Sequence, residues 1–247
     1  MFEFPEDETS YEDIVSKIMF GDAFLLCTFY ENNENSKKFK FPNANFNNYH
    51  TGKRILDYES ENNNNNKIVE LSGNLDQIHI FVRGGYIVPY QDVFGKYILN
   101  TEQLRNEKLN LIVNLDEYNQ SRGELFFDND EADTIKNNTY YRVEMSYSDK
   151  KLTFNTYKNR LEKYNYNDHI LGKIEFWGLS QINEMKDKNK NENKSKIISL
   201  NVIYNDKQYP TGIIEGIYDQ ENDKAIFEIS KGDKNISIFD INEMEFN

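Results

Sequence analysis

The sequence predicts a mainly β chain in three stretches: an opening that suits the inside of a β/α barrel, a set of short strands, and an antiparallel β-sandwich. Three observations predict it. Ala23–Phe29 is a continuous apolar run, the mark of a strand covered on both faces. Residues 31–93 hold short apolar runs separated by polar connections. Residues 94–247 alternate apolar and polar positions with the period of a strand, in short segments. The expected divisions are therefore 1–30, 31–93 and 94–247.

Residues 2–30 read as strand, helix, strand. The helix is expected over residues 10–19, because Ser10-Tyr11-Glu12-Asp13 fits a capping pattern and Ile14, Val15 and Ile18 give it an apolar side. One such unit cannot make a barrel, which takes ~250 residues. Strands are then expected at Lys38–Phe41, Arg54–Tyr58, Ile68–Leu71, Ile78–Val82 and Tyr86–Val88. Residues 57–67, with the run Asn62–Asn66, read as a polar loop. Gly84-Gly85 separates two apolar runs and Pro89 stops the second, so this stretch is two short strands or one bent strand.

Farther on, Leu109, Leu111, Val113 and Leu115 share one face, as do Leu125 and Phe127. The same spacing joins Tyr141, Val143 and Met145, then Leu152, Phe154 and Thr156, then Ile174 and Phe176. A charged stretch, Lys186–Lys196, interrupts. The rhythm resumes at Ile198, Leu200, Val202 and Tyr204, then at Ile226–Ile229 and Ile236–Phe239.

Composition narrows the function. The 247 residues carry a net charge of -13, so phosphate backbones are repelled and nucleic acid is not an expected partner. Tyr and Phe number 17 each against one Trp, which suits half-buried pleated surfaces. Cys27 is the single cysteine, so no disulfide framework forms within the chain. No signal peptide is recognised, and the longest apolar stretch, Ala23–Tyr30, is far short of the ~20 residues of a membrane-spanning helix. Asn119, Asn137, Asn193 and Asn235 each open an N-x-S/T sequon, a glycosylation site only on passage through the secretory pathway.

Four constellations have a chemical reading and a plainer one. Asp128, Asp130, Glu131 and Asp133 offer hard oxygen ligands for calcium but lack the glycine and terminal glutamate of an EF-hand; the plain reading is a solvated loop. His50, His79 and His169 have no zinc spacing and read as surface or strand residues. Arg83-Gly84-Gly85 invites an anion, but the plainer reading is a backbone bend with Arg83 paired to an acid or carbonyl. Phe46, Tyr49 and His50 make a sugar-stacking platform or a packing cluster, and packing is favoured. No catalytic, metal-binding or cofactor-binding residue is assigned: the 42 acids include no two that the sequence pairs across a scissile bond.

The stretch His79-Ile80-Phe81-Val82-Arg83-Gly84-Gly85-Tyr86-Ile87-Val88-Pro89-Tyr90-Gln91 resembles a signature of glycoside hydrolase family 31, the maltase-like α-glucosidases. Other landmarks follow in family order. Phe2-Glu3-Phe4-Pro5-Glu6-Asp7 resembles F-E-F-P-x-D, and Phe20-Gly21-Asp22-Ala23-Phe24-Leu25-Leu26 resembles the family's last barrel strand. Phe46-Asn47-Asn48-Tyr49-His50-Thr51-Gly52 is similar to W-Y-D-Y-Y-T-G. Asn100-Thr101 to Leu115, followed by Gly123-Glu124-Leu125-Phe126-Phe127-Asp128-Asn129-Asp130-Glu131, is similar to the N-T…L-x-L-I-V-x-L…G-x-L-F-W-D-D-G-E run. Beyond residue 140 only Phe176-Trp177-Gly178 continues the likeness.

The resemblance implies a retaining α-glucosidase parent acting on α-glucosides, of the secretory or lysosomal pathway. It implies the end of a (β/α)8 barrel followed by a small proximal β-domain and a distal antiparallel β-sandwich, a portion that braces the catalytic barrel. The family's nucleophilic Asp lies in a W-x-D-M-N-E-like motif and its acid/base Asp farther along the barrel; neither motif occurs here, so both are expected before Met1. A sugar-contacting His of maltase-like members is matched by Phe2, a departure from the pattern. The alternative is a stand-alone β-sandwich that binds carbohydrate or a protein partner.

Overall fold

The computed structural model describes residues 3–7, 14–29, 36–55, 67–73, 78–128, 134–137, 140–158, 169–181, 196–204, 212–230, 236–238 and 241–246. Strands dominate. The chain opens with a hairpin, β1 (Lys17–Phe20) and β2 (Phe24–Thr28), whose turn is completed by Gly21 at φ 61°. Strand β2 then pairs with β6 (Ile78–Arg83), and β6 with β4 (Phe46–Asn48), giving the order β1-β2-β6-β4. Strands β3 (Ser36–Phe41) and β5 (Lys67–Ser72) form a second, two-stranded sheet.

The two sheets bury one aromatic core between them. Leu25, Cys27 and Phe29 of the β2 segment meet Phe39 and Phe41 of β3, Phe46 of β4 and Phe81 of β6. The Phe41 and Phe81 rings meet edge-on at 5.0 Å, a preferred aromatic geometry.

Two expectations for the opening are overturned. Residues 10–13 lie outside the described set, but residues 14–16 are a turn and 17–20 a strand, not a helix. Ile14, Val15 and Ile18 fit helical spacing, yet the Gly21-Asp22 turn folds this segment back against β2. Nor is the opening the end of a (β/α)8 barrel. A barrel strand lies parallel to its neighbours, whereas β2 is antiparallel to both β1 and β6. Its apolar run is also not buried on both faces: Leu25 and Cys27 point inward while Phe24, Leu26 and Thr28 are half-buried.

The rest of the chain builds one closed sheet. Its strands are β7 (Tyr86–Gln91), β8 (Leu109–Asn114), β9 (Ser121–Asp128), β10 (Tyr140–Ser148) and β11 (Lys151–Lys158). They continue as β12 (Leu171–Trp177), β13 (Lys196–Tyr204), β14 (Gly212–Asp219), β15 (Lys224–Glu228) and β16 (Ile241–Phe246). The order β10-β11-β16-β13-β14-β15-β12-β8-β7-β9 closes on itself through β9 and β10.

The expected antiparallel sandwich is therefore a closed barrel, and not wholly antiparallel: β8 and β12 run parallel. Alternation along a strand reports which side faces the core, but not whether sheet edges join. Closure removes edges that would otherwise offer unpaired backbone groups.

The inward positions expected from the alternation fill the barrel. Leu109, Leu111, Val113, Leu115, Tyr141, Val143, Met145, Ile174 and Leu200 belong to one core. Tyr147, Phe176, Phe227 and Phe246 meet edge-on there, with Phe176 and Phe246 at 4.8 Å. Short helical pieces interrupt the strands among the described residues, including α1 (Thr101–Arg105), α2 (Thr134–Asn137) and a 3-10 turn at Leu179–Gln181. Helix α1 follows from its cap, since Asn100 Oδ1 accepts the Gln103 N–H at 2.8 Å.

Strand β8 is buried on both faces. Its outward side meets the four-stranded β1-β2-β6-β4 sheet, here the front sheet: Val82, Val88, Ile112 and Trp177 pack with Ala23, Phe24 and Tyr49. The outward asparagines are bonded: Asn114 Nδ2 donates to the Val82 carbonyl at 2.8 Å, and Asn110 Oδ1 accepts the Lys173 N–H at 3.0 Å. A buried polar side chain is tolerated when so paired. The expected strand at Arg54–Tyr58 is represented by an isolated bridge, Asn47 to Arg54, and residues 56–58 lie outside the described set.

Candidate functional site

Gly84 and Gly85 hand the chain from the front sheet to the barrel. Of the two readings, the runs flanking them are two strands, in different sheets, and not one bent strand. Gly85 has φ 90°, and a Cβ on Gly84 would lie 2.8 Å from the Leu115 carbonyl oxygen. Glycine is required at both for these reasons. Arg83 pairs as expected with an acid: its Nη1 donates to Glu3 Oε2 at 3.3 Å. Its guanidinium also lies 4.4 Å from the Phe4 ring centre.

Beneath the front sheet lies a polar cluster absent from the sequence reading. Glu175 of β12 is 8% exposed. Its Oε1 accepts the Tyr90 hydroxyl at 2.8 Å and pairs with Lys173 Nζ at 3.1 Å. Its Oε2 accepts Trp177 Nε1 at 3.3 Å. Burial, then the Glu175 charge, pushes the Tyr90 phenol far up, so it stays a donor. Tyr49 is raised by the same two causes in the same order. Alternation between Ile174 and Phe176 assigned Glu175 to a solvent face; the front sheet covers that face, and no local signal announces this.

At its β1 edge the front sheet presents an apolar face, where Ile18 and Phe20 lie beside Leu26 and Phe24 on the same side. Ile14, Val15, Ile18 and Phe20 are exposed, Phe20 by 69%. β1 is an edge strand. A depression of about 540 Å³ runs beside it, lined by Phe4, Ile14, Ile18, Met19, Leu25 and Pro42 among others.

The other candidates fall apart in space. Phe46 is buried between Phe4 and Phe41, while Tyr49 meets Phe24 and His50. They brace packing and do not form one stacking platform. His169 is buried and stacked on Phe127 at 3.9 Å, not a surface residue. His79 meets Phe29 edge-on at 5.7 Å. Asp128 faces Arg105 at 3.8 Å, and Asp130, Glu131 and Asp133 lie outside the described residues. Among the described residues no three His, Cys, Asp or Glu side chains converge as metal ligands would. Phe2, Asn193 and Asn235 lie outside the described set; Asn119 sits in a turn and Asn137 ends α2. No described helix is long and apolar enough to cross a membrane.

The described residues thus form a closed barrel fronted by two small sheets, with little helix. Residues 1–88 match the glycosyl hydrolase family 31 C-terminal domain. The chain is a relative of the family 31 glycoside hydrolases and carries that C-terminal domain at residues 1–88.

The chain is 30% identical over 181 residues to probable maltase-glucoamylase 2 of Homo sapiens, covering 73% of this chain and 7% of that protein. It is 31% identical over 183 residues to intestinal sucrase-isomaltase of Rattus norvegicus, covering 72% of this chain and 9% of that protein. The chain thus spans under a tenth of the length of these relatives. In fold it is similar to the glucosidase II α subunit in its Glc1Man2-bound crystal structure, with a TM-score of 0.71 at 15% identity, covering 94% of this chain and 24% of that one.

Proposed function

We propose that this chain is the C-terminal β portion of an α-glucosidase, which braces a catalytic domain and does not itself hold the catalytic carboxylates. The parent hydrolyses α-glucosidic bonds with retention, through two carboxyl groups roughly 5–5.5 Å apart. α-Glucosides are the substrates of that parent, and neutral substrates suit a chain of net charge -13. The relation to maltase-glucoamylase and sucrase-isomaltase supports the reading.

The observation that carries it is the apolar face of Ile14, Val15, Ile18 and Phe20 on an edge strand. Such a patch marks an interaction surface. A self-contained binding module has no use for it. The proximal unit, expected over 31–93, is proposed to take in β1 and β2 as well, since they share its sheet. The distal unit, expected over 94–247, is proposed to take in β7, which belongs to the barrel.

The test uses the purified chain with maltose and with an aryl α-glucoside in excess. No glucose release above background is expected over hours. Turnover abolished by replacing a carboxylate within residues 1–247 overturns the reading.

A further inference from the structure

We propose that the outer face of β9, β10 and β11 is a non-catalytic binding surface for a neutral saccharide chain. Phe126, Arg142 and Tyr157 lie side by side in one row across the three strands. Phe126 is 45% exposed and Tyr157 53% exposed. Glu124 and Glu144 are paired directly in the next row on that face. Tyr140, two residues before Arg142 and on the same side of β10, stacks on Phe126 with ring centres 5.1 Å apart. Two inter-strand spacings put the backbones beneath the Phe126 and Tyr157 rings about 10 Å apart, a distance that a disaccharide spans.

The polar groups between the rings are held in place. Arg142 Nε and Nη2 donate to the two carboxylate oxygens of Glu124, each at 2.7 Å. Nη2 also lies 3.0 Å from Glu144 Oε1, and the Tyr157 hydroxyl donates to Glu144 Oε2 at 3.1 Å. Exposed ion pairs contribute little to folding. This network instead fixes four side chains, so a ligand meets groups that are already ordered. Bonding capacity remains. Arg142 Nη1 and the Tyr140 hydroxyl have no partner among the described residues. Each carboxylate oxygen can accept more than one bond.

This chemistry selects the ligand. Two carboxylates around one guanidinium repel an anion, as does a chain of net charge -13. A cationic partner needs an open carboxylate, and both are paired with Arg142. A purely apolar partner would strip water from these charges and replace none of its hydrogen bonds. A saccharide meets all three demands. It is uncharged, its C–H faces pack on the negative faces of aromatic rings, and its hydroxyls donate and accept between them.

The preference for a neutral hydroxylated chain stands on these groups alone. The choice of α-linked glucose rests on the proposed function. The full chain is titrated calorimetrically with maltoheptaose, cellohexaose and oligolysine. Saturable binding of maltoheptaose is expected. Phe126→Ala and Tyr157→Ala are each expected to weaken it about three- to ten-fold. Tyr157→Phe keeps the ring and should weaken it less. Ile213→Ser, at an equally exposed apolar position on β14, should leave it unchanged. Both rings are about half exposed, so the melting temperatures of these variants should stay close to that of the parent chain. Equal or tighter binding of cellohexaose supports the surface and counts against the α-glucosidase reading. No saccharide binding, binding indifferent to both alanine substitutions, or displacement of the sugar by oligolysine overturns the proposal.

Discussion

Gly52 rests against the indole of Trp177: a Cβ at residue 52 would lie 3.1 Å from Trp177 Nε1. This contact joins the turn after β4 to the end of β12, two elements far apart in the chain. Gly52 also has φ 74°, and its carbonyl accepts Asn47 Nδ2 at 2.7 Å. The turn is therefore specified by backbone conformation and by lack of space at once.

Gly52→Ala is expected to destabilise the chain by about 2–4 kcal/mol, combining the left-handed cost with overpacking against Trp177. Urea unfolding followed by Trp177 fluorescence measures it. A loss under half a kcal/mol would show that the front sheet does not bear on the barrel at this point.

The Glu175 cluster predicts an order of effects. Tyr90→Phe removes one donor from a nearly buried carboxylate and should cost about 1–3 kcal/mol. Glu175→Gln keeps an acceptor for Tyr90 or Trp177 and should cost less than Lys173→Met, which leaves the carboxylate without its cation. Denaturant midpoints of the three variants check this. A Lys173→Met variant as stable as the parent chain would mean that the pair contributes nothing.

His79 predicts a pH dependence. Burial lowers its pKa from the usual 6.5, with a smaller lowering from His50, against a backbone hydrogen bond at Ser72 that raises it. The folded chain then binds fewer protons than the unfolded one near this pH. Stability is full above the unfolded value and falls as pH drops through it toward the folded value. Comparing unfolding at about pH 8 and about pH 5.5, His79→Gln should show a smaller acid loss than the parent chain. An identical loss in both proteins would assign it to other groups.

The apolar face predicts behaviour in solution. Phe20→Ser and Ile18→Lys should raise the concentration at which the isolated chain stays monodisperse, because they blunt an exposed edge strand. Both side chains are more than half exposed, so little folded-state packing is lost. Light scattering across a concentration series decides the matter, and unchanged aggregation would remove the main support for a covering partner.

The sequence by itself determined the strand positions and their inward residues over most of the barrel. Tyr141, Val143 and Met145 face the core because a two-residue period admits only one solution when the other side is turned toward water. It also carried the family likeness in Phe46–Gly52 and His79–Gln91. Local spacing was ambiguous at Ile14–Ile18, where the same residues fit a helix face. The pairing of β1 with β2 decided for a strand.

Closure of the barrel, the parallel β8–β12 contact and the burial of Glu175 were decided only by tertiary structure. Each depends on which distant strand lies alongside, and hydrogen bonding between strands leaves no mark on the order of side chains within either one. Glu175 looks solvent-facing from its neighbours. It is buried on the same face of β12 as Trp177, on which Val82, Phe24 and Tyr49 pack, and its carboxylate is bonded to Tyr90, 85 residues earlier in the chain.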